Sequence, residues 1–393
     1  MAYNRKQRLN DNIKAIETAF ILDREQRTPT ARERLLLERY CGFGGLKCIL
    51  NPARELADAV HWAKSDLELF APTVELHRLI RENSQNESEY KLLMDSLKQS
   101  VLTAFYTPSA VTEALTDVLK EHQIIPEKVL EPSAGIGAFV DSVLDNNPKA
   151  DIMAFEKDLL TGKILRHLHP EQKVRIEGFE KIEKPFNDYF DLAISNIPFG
   201  DVAVFDPSYT AMKGMRALVT RRIHNYFFVK ALDTVRDGGL VAFITSQGVL
   251  NAKNNSAARF MMLYHADLVS AIRLPNNLFT ENANTEVGSD LIILQKNSQK
   301  ESLRGDDNLL DTVYNDENRI PTNNYFLEHP ERIIHTTAKL DTDPFGKPAM
   351  IYTHEDGVEG IAEDLRKMLH EDFKKNLNLN RYLGIEAVSY THL

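Results

Sequence analysis

Two rhythms of apolar and polar positions divide this chain. Over roughly the first hundred residues, apolar positions recur every three to four, the helical period. Ile13, Ile16, Phe20 and Ile21 form one stripe, with Asn10-Asp11 expected to cap it. Thr28-Pro29-Thr30 stops that helix and caps a second, Ala31 to Tyr40, with Leu35, Leu36 and Leu37 expected inward. Further helices are expected near 73–84 and 87–99, and in the latter Tyr90, Leu93, Met94 and Leu97 read as a core stripe. From Lys128 onward the rhythm changes to short continuous apolar runs separated by helical segments. Lys128 to Leu130, Ile152 to Phe155, Lys173 to Ile176 and Leu240 to Thr245 read as strands, and Phe190 to Ile194 as a buried one. Helices are expected at Val111 to Glu121 and His224 to Val235, the latter ended by Gly238-Gly239. Leu268 to Leu274 and Asp290 to Gln295 read as the last two strands, joined as a hairpin. Strands alternating with helices predict an α/β fold with a mostly parallel sheet and helices on both faces.

Beyond residue 297 the alternation is lost. Ser298 to Asn318 reads as a polar, acidic linker, and Glu359 to Asn376 as one more helix. The expected division is a helical amino-terminal extension (1–100), a central α/β domain (101–297) and a carboxy-terminal extension (298–393). Val388 to Leu393 completes no element, so the chain is expected to be cut from a longer protein.

Composition narrows the class. Of 393 residues, 43% are hydrophobic and 26% charged, which suits a globular protein and not a disordered one. No apolar run is long enough for a membrane span, and no signal peptide is evident, so no membrane partner is expected. Two cysteines, Cys41 and Cys48, supply neither a four-ligand zinc site nor a disulfide framework. No metal is expected, and a reducing, cytoplasmic setting fits. The net charge of −10 argues against a uniformly basic DNA-coating protein but leaves room for local basic patches.

The chemistry concentrates at strand ends. After Phe190 to Ile194 comes Ser195-Asn196-Ile197-Pro198-Phe199-Gly200. The carboxyl end of a strand in an open α/β sheet is where ligands bind. The Asn196 side-chain oxygen and the Ile197 carbonyl can both accept from one exocyclic amine. Pro198 stiffens the turn, and Phe199 offers a face for a planar base. An ordinary Asn-X-Pro turn is the plainer alternative. Upstream, Lys128-Val129-Leu130 runs into Glu131-Pro132-Ser133-Ala134-Gly135-Ile136-Gly137, a strand, a glycine turn and a helix start. Gly135 and Gly137 allow a ligand to approach the backbone. Glu131 would repel a pyrophosphate but welcome an ammonium and a sulfonium, which favours S-adenosylmethionine over a nicotinamide cofactor. Glu156, at the end of the next strand, is placed to hold ribose hydroxyls. Lys213, Arg216, Arg221 and Arg222 follow the Asn196 segment in an expected loop, where they would hold DNA phosphates or simply be solvated. Cys41-Gly42-Phe43-Gly44-Gly45 is a tight turn without the Gly-Lys-Ser/Thr ending of a phosphate loop.

These motifs, in this order, resemble the S-adenosylmethionine-dependent N6-adenine DNA methyltransferases of γ-type motif order. The likeness extends over roughly residues 30 to 355. Asn196-Ile197-Pro198-Phe199 is similar to their Asn-Pro-Pro-Tyr/Phe motif, with Ile197 in place of a proline. Tyr106-Thr107-Pro108 resembles the Tyr-Thr-Pro element over the methionine end of the cofactor; on residues alone, Thr107 is an N-cap and Pro108 the first helical position. Phe179, preceded by Gly178 where relatives carry Asp, would stack on the cofactor adenine, with Glu177, Glu180 or neither as the acid for its amine. Gly42-Phe43-Gly44-Gly45-Leu46 and Asn324 to Glu331 resemble segments of large phage and conjugative-element proteins that often carry a helicase after the methylase. The resemblance implies a Rossmann-like class I methyltransferase with a seven-stranded sheet, its last strand antiparallel. It further implies methyl transfer to adenine in DNA, Pro132 and Ser133 beside the cofactor, and a helicase in the full-length protein. Methylases of RNA bases or protein glutamine share the motif, and a cofactor-binding antirestriction or scaffold module is a non-enzymatic alternative.

Overall fold

The computed structural model describes residues 4–103, 106–212, 214–280, 286–303, 307–314, 319–343 and 346–385. Its centre is a seven-stranded sheet in the order β3-β2-β1-β4-β5-β7-β6. The strands are β1 (Lys128–Glu131), β2 (Asp151–Phe155), β3 (Lys173–Arg175), β4 (Phe190–Asn196), β5 (Val235–Ser246), β6 (Ala266–Leu274) and β7 (Ser289–Lys296). β7 pairs antiparallel with both β5 and β6, and the other pairings are parallel. The carboxyl ends of β1, β2, β4 and β5 therefore share one edge. The strand order reverses between β1 and β4, which opens a crevice there.

Nearly continuous apolar strands require cover on both faces, and helices supply it. α5 (Ser109–Glu121), α6 (Ala138–Asn146) and the carboxy-terminal helix Gly357–Asn376 build one core through Leu115, Val118, Val140, Leu365 and Leu369. On the opposite face, α8 (Pro207–Thr210), α9 (Met215–Val219), α10 (Ile223–Thr234), α11 (Gly248–Asn251) and α12 (Ser256–His265) cover β4 and β5. The carboxy-terminal segment thus contributes core residues as well as linker. Two small hairpins, Thr312–Tyr314 with Pro321–Asn323 and Thr337–Thr342 with Pro348–Thr353, also lie there where no strand was expected.

The amino-terminal region is helical, as its periodicity indicates. α1 (Arg5–Glu25) starts earlier than expected because Asn4 accepts from the Gln7 N–H. α2 (Ala31–Leu37) has Thr30 and Glu33 in a capping box, and of its three leucines only Leu37 is buried. α3 (Phe70–Glu82) and α4 (Glu87–Thr103) complete the layer. This layer shares a core with α7 (Leu159–Leu168), the helix after β2, through Leu160, Ile164 and Leu168.

Candidate active site

The glycine turn after β1 is fixed by backbone geometry. Gly135 has φ +56 and Gly137 φ +93, where a side chain is strained. A Cβ at Gly135 would also lie 2.8 Å from Tyr106 Cε1, so the Tyr106 ring rests on the turn. At Gly137 a Cβ would approach His169 Nε2 to 2.6 Å. We expect Gly135→Ala to cost about 1–3 kcal/mol of stability and to weaken binding in the crevice by displacing Tyr106. Thermal melting and calorimetry with S-adenosylmethionine check this, and an unshifted melt with full affinity would contradict it.

Glu156 accepts from the Gly135 N–H at 2.8 Å and from the Asp158 N–H at 2.7 Å. It therefore ties the glycine turn to the end of β2. Burial, and then the neighbouring Asp158, push its carboxyl up to about 8. Glu131 is 1% exposed, and neither carboxylate oxygen has a hydrogen-bond partner. Burial holds its carboxyl well above the ordinary range; Ser195 and the Ser133 amide lie near enough to temper this without bonding to it. Thr107 is likewise buried with an unpartnered Oγ1. An unpaired buried carboxylate costs folding free energy, and a ligand cation would relieve it. The donor set therefore fits a ligand with an ammonium and a sulfonium.

The Asn-Ile-Pro-Phe segment flanks the same crevice. Asn196 closes β4, paired with Ile244 of β5, and is half-buried. Ile197 is 1% exposed, and its N–H extends the ladder to the Ile244 carbonyl at 3.0 Å. Its side chain and its N–H are thus both anchored, which holds its carbonyl in place without a ring at this position. Ser195 Oγ donates to the Ser133 carbonyl at 3.4 Å, joining this strand end to the glycine turn. Pro198 and Phe199 are half-buried, and the Phe199 ring meets Phe279 edge-on with centroids 6.4 Å apart.

The segment after Gly200 is anchored rather than loose. Asp206 accepts from Tyr226 Oη at 2.7 Å and from Lys230 Nζ at 3.2 Å, both on α10. Arg216 clasps Asp233 at 2.6 and 2.9 Å, and Tyr209 Oη donates to the same carboxylate.

The family model described as N-6 DNA Methylase matches residues 89–387. The chain belongs to the N-6 DNA methylase family. Among curated proteins it is similar to Defense against restriction protein B of Escherichia phage P1, 29% identical over 201 residues, covering 50% of this chain and 8% of that one. It is also similar to Type II methyltransferase M.XamI of Xanthomonas campestris pv. amaranthicola, 25% identical over 173 residues, covering 41% of this chain and 33% of that one. The chain thus spans a third or less of the length of these two relatives. Among solved structures, a modification subunit of a putative type I restriction enzyme from Vibrio vulnificus YJ016 aligns at 15% identity and TM-score 0.43, covering 74% of this chain and 67% of that one.

In this N-6 DNA methylase family member, the crevice gathers Tyr106, Thr107, Glu131, Ser133, Gly135, Gly137, Glu156 and Asn196 at one sheet edge, Pro108 and Pro132 being their chain neighbours. Four expectations are corrected. Thr107 is not the N-cap of α5; the helix begins at Ser109 with Pro108 in that position. Phe179 is not a stacking face: it is 1% exposed, with Phe155 and Phe227 centroids at 5.8 and 5.3 Å. Arg216 is not free for phosphate, because Asp233 holds it. Arg222 is engaged too, with Asp201 at 3.1 Å. Arg221 is exposed, and Lys213 lies outside the described residues. Unforeseen were the Asp206 network and the Ser96 Oγ to Asp158 bond of 2.8 Å, which ties α4 to the start of α7. Both join residues too distant in sequence for any periodic pattern to pair. Among the described residues, no helix is long and apolar enough to cross a membrane.

Proposed function

We propose that this chain transfers a methyl group from S-adenosylmethionine to the N6 amine of adenine in DNA. The observation that carries the reading is the junction of its two motifs. The Asn196 strand end and the glycine turn meet through Ser195 and Ser133, which supports assigning the amine acceptors and the cofactor grip to one site. Family membership supports the same reaction class.

Bound S-adenosylmethionine supplies a methyl group on a positive sulfur. Glu131 and Thr107, both unpartnered in the protein, are assigned to its methionine end. The Glu156 oxygens each retain a lone pair beyond the backbone N–H they accept, which suits ribose hydroxyls. Glu180 is assigned to the cofactor adenine amine. Arg175 occupies Glu177 at 2.6 Å, whereas the Glu180 carboxylate folds back over Gly178, where any Cβ would collide with it. Glycine at 178 thus makes room for an acid arriving from two residues on.

The adenine amine is a poor nucleophile because its lone pair is delocalised into the ring. The Asn196 oxygen and the Ile197 carbonyl accept its two protons and draw the nitrogen toward a tetrahedral form. Orientation and preorganised acceptors supply most of the acceleration. A duplex must release the adenine from its stack, with Phe199 receiving it.

Tritiated-methyl transfer to DNA, RNA and protein substrates, with Asn196→Ala as control, tests the assignment. The expected label is on N6 of adenine in DNA. Label on RNA or on glutamine would redirect it, and cofactor binding without transfer to any substrate would leave only a binding module.

A further inference from the structure

A cavity of about 310 Å³ lies between the starts of α10 and α12, lined by Leu218, Arg221, Arg222, Asn225, Asn254 and Asn255 among others. It adjoins the Asn-Ile-Pro-Phe segment, because Arg222 on its wall holds Asp201, the residue directly after Gly200. Arg222 also donates to Asn254 Oδ1 at 2.9 Å and Asn255 Oδ1 at 3.0 Å. Its guanidinium is therefore part of the wall.

Two helices begin at this cavity. α10 starts after Arg222 with no side-chain cap on its first N–H groups, whereas α12 runs on from the 3-10 turn Lys253–Asn255 and its Ser256 N–H already donates to the Lys253 carbonyl. Uncapped N–H groups with the positive end of the helix dipole favour an anion. Arg221, exposed at the rim, adds a full positive charge. An anion alone does not complete the site, however. Asn225 is 4% exposed, and its Oδ1 has no hydrogen-bond partner. Its amide nitrogen is committed to Asn255 Oδ1 at 2.9 Å, so this oxygen needs a donor brought by the ligand. A nucleotide brings both: phosphate oxygens for Arg221 and the start of α10, and a base amine for Asn225.

We propose that this cavity seats a nucleotide neighbouring the target adenine in DNA. Its phosphate lies against Arg221 and the first turn of α10, and its amine-bearing base edge against Asn225 Oδ1. The inference rests on the DNA-methylation reading above. It adds a subsite outside the catalytic motif and gives the enzyme a preference at one flanking base.

The test is steady-state methylation of duplex DNA by the full chain. Arg221→Ala is expected to raise the KM for DNA about tenfold and to reduce the salt dependence of binding by about one phosphate contact. The maximal rate and S-adenosylmethionine affinity should stay unchanged, and Arg221→Lys should restore part of the loss. Ala257→Glu places a carboxylate in the first turn of α12, where it is compatible with the helix, and should raise the same KM. Arg24→Ala, on α1, is the control and should change nothing. With randomised flanks, methylated products should be depleted of thymine, which has no exocyclic amine, at one neighbouring position. A free mononucleotide that competes as well as duplex DNA would overturn the assignment to a DNA strand. Unchanged KM and salt slope in both variants would sink the subsite while DNA methylation by the parent protein leaves the reaction reading intact. A parent protein that methylates no DNA removes the reading, and the subsite with it.

Discussion

Asn196→Ala should abolish methyl transfer, by at least about 10²-fold, while leaving S-adenosylmethionine affinity nearly unchanged. The asymmetry follows from where each group sits. Asn196 closes β4, and its place in the ladder beside Ile244 is a backbone matter that alanine preserves. The groups assigned to the cofactor lie on β1, on β2 and ahead of α5. Removing one carboxamide therefore takes away one of the two acceptors for the amine protons and leaves the groups assigned to the cofactor in place. Calorimetry and a single-turnover assay on duplex DNA separate the two effects. Retained turnover would refute the role of Asn196, and lost cofactor binding would show that the residue serves the wrong half of the site.

The second large effect is on pH. Glu131, Glu156 and Asp158 are all pushed above their ordinary values, each chiefly by burial. For Glu156 the folded value is about 8 against an ordinary 4.5. A carboxyl raised in the folded state holds its proton there after the unfolded chain has lost its own. Its contribution is fully present below the ordinary value and disappears as pH rises through the folded one. The free protein should therefore lose stability between pH 4.5 and about 8, by an amount on the order of a few kcal/mol. A cationic ligand favours the ionised acids and reverses the trend. Saturating S-adenosylmethionine should flatten the decline in melting temperature, and its binding should release protons near neutral pH. Glu131→Gln should raise the melting temperature of the free protein and weaken its cofactor binding. Parallel pH profiles with and without cofactor would contradict the assignment of Glu131.

The centre of the sheet and its motif positions were legible because β2 and β4 each carry an uninterrupted apolar run ending in a distinct polar cluster. Leu192-Ala193-Ile194 before Asn196, and Ile152 to Phe155 before Glu156, place their functional residues without reference to anything distant. The failures share a different cause. Phe179 reads as an aromatic stacked on the cofactor adenine, and only the three-dimensional approach of Phe155, Tyr226 and Phe227 encloses it. Arg216 reads as one of several loop cations, and only Asp233, 17 residues on, neutralises it. The Thr337–Thr342 strand was missed because none of its residues is buried, so no apolar alternation marks it.

Helix α7 belongs to two structures at once. Its first turn is held by Asp158 and Ser96, and its apolar side is shared with the amino-terminal helices. Asp158 also donates its N–H to Glu156, which grips the Gly135 turn. The crevice carboxylate is therefore joined to α4 through two hydrogen-bonded steps. The first hundred residues are thus less an appendage than a buttress, built into the wall behind the glycine turn.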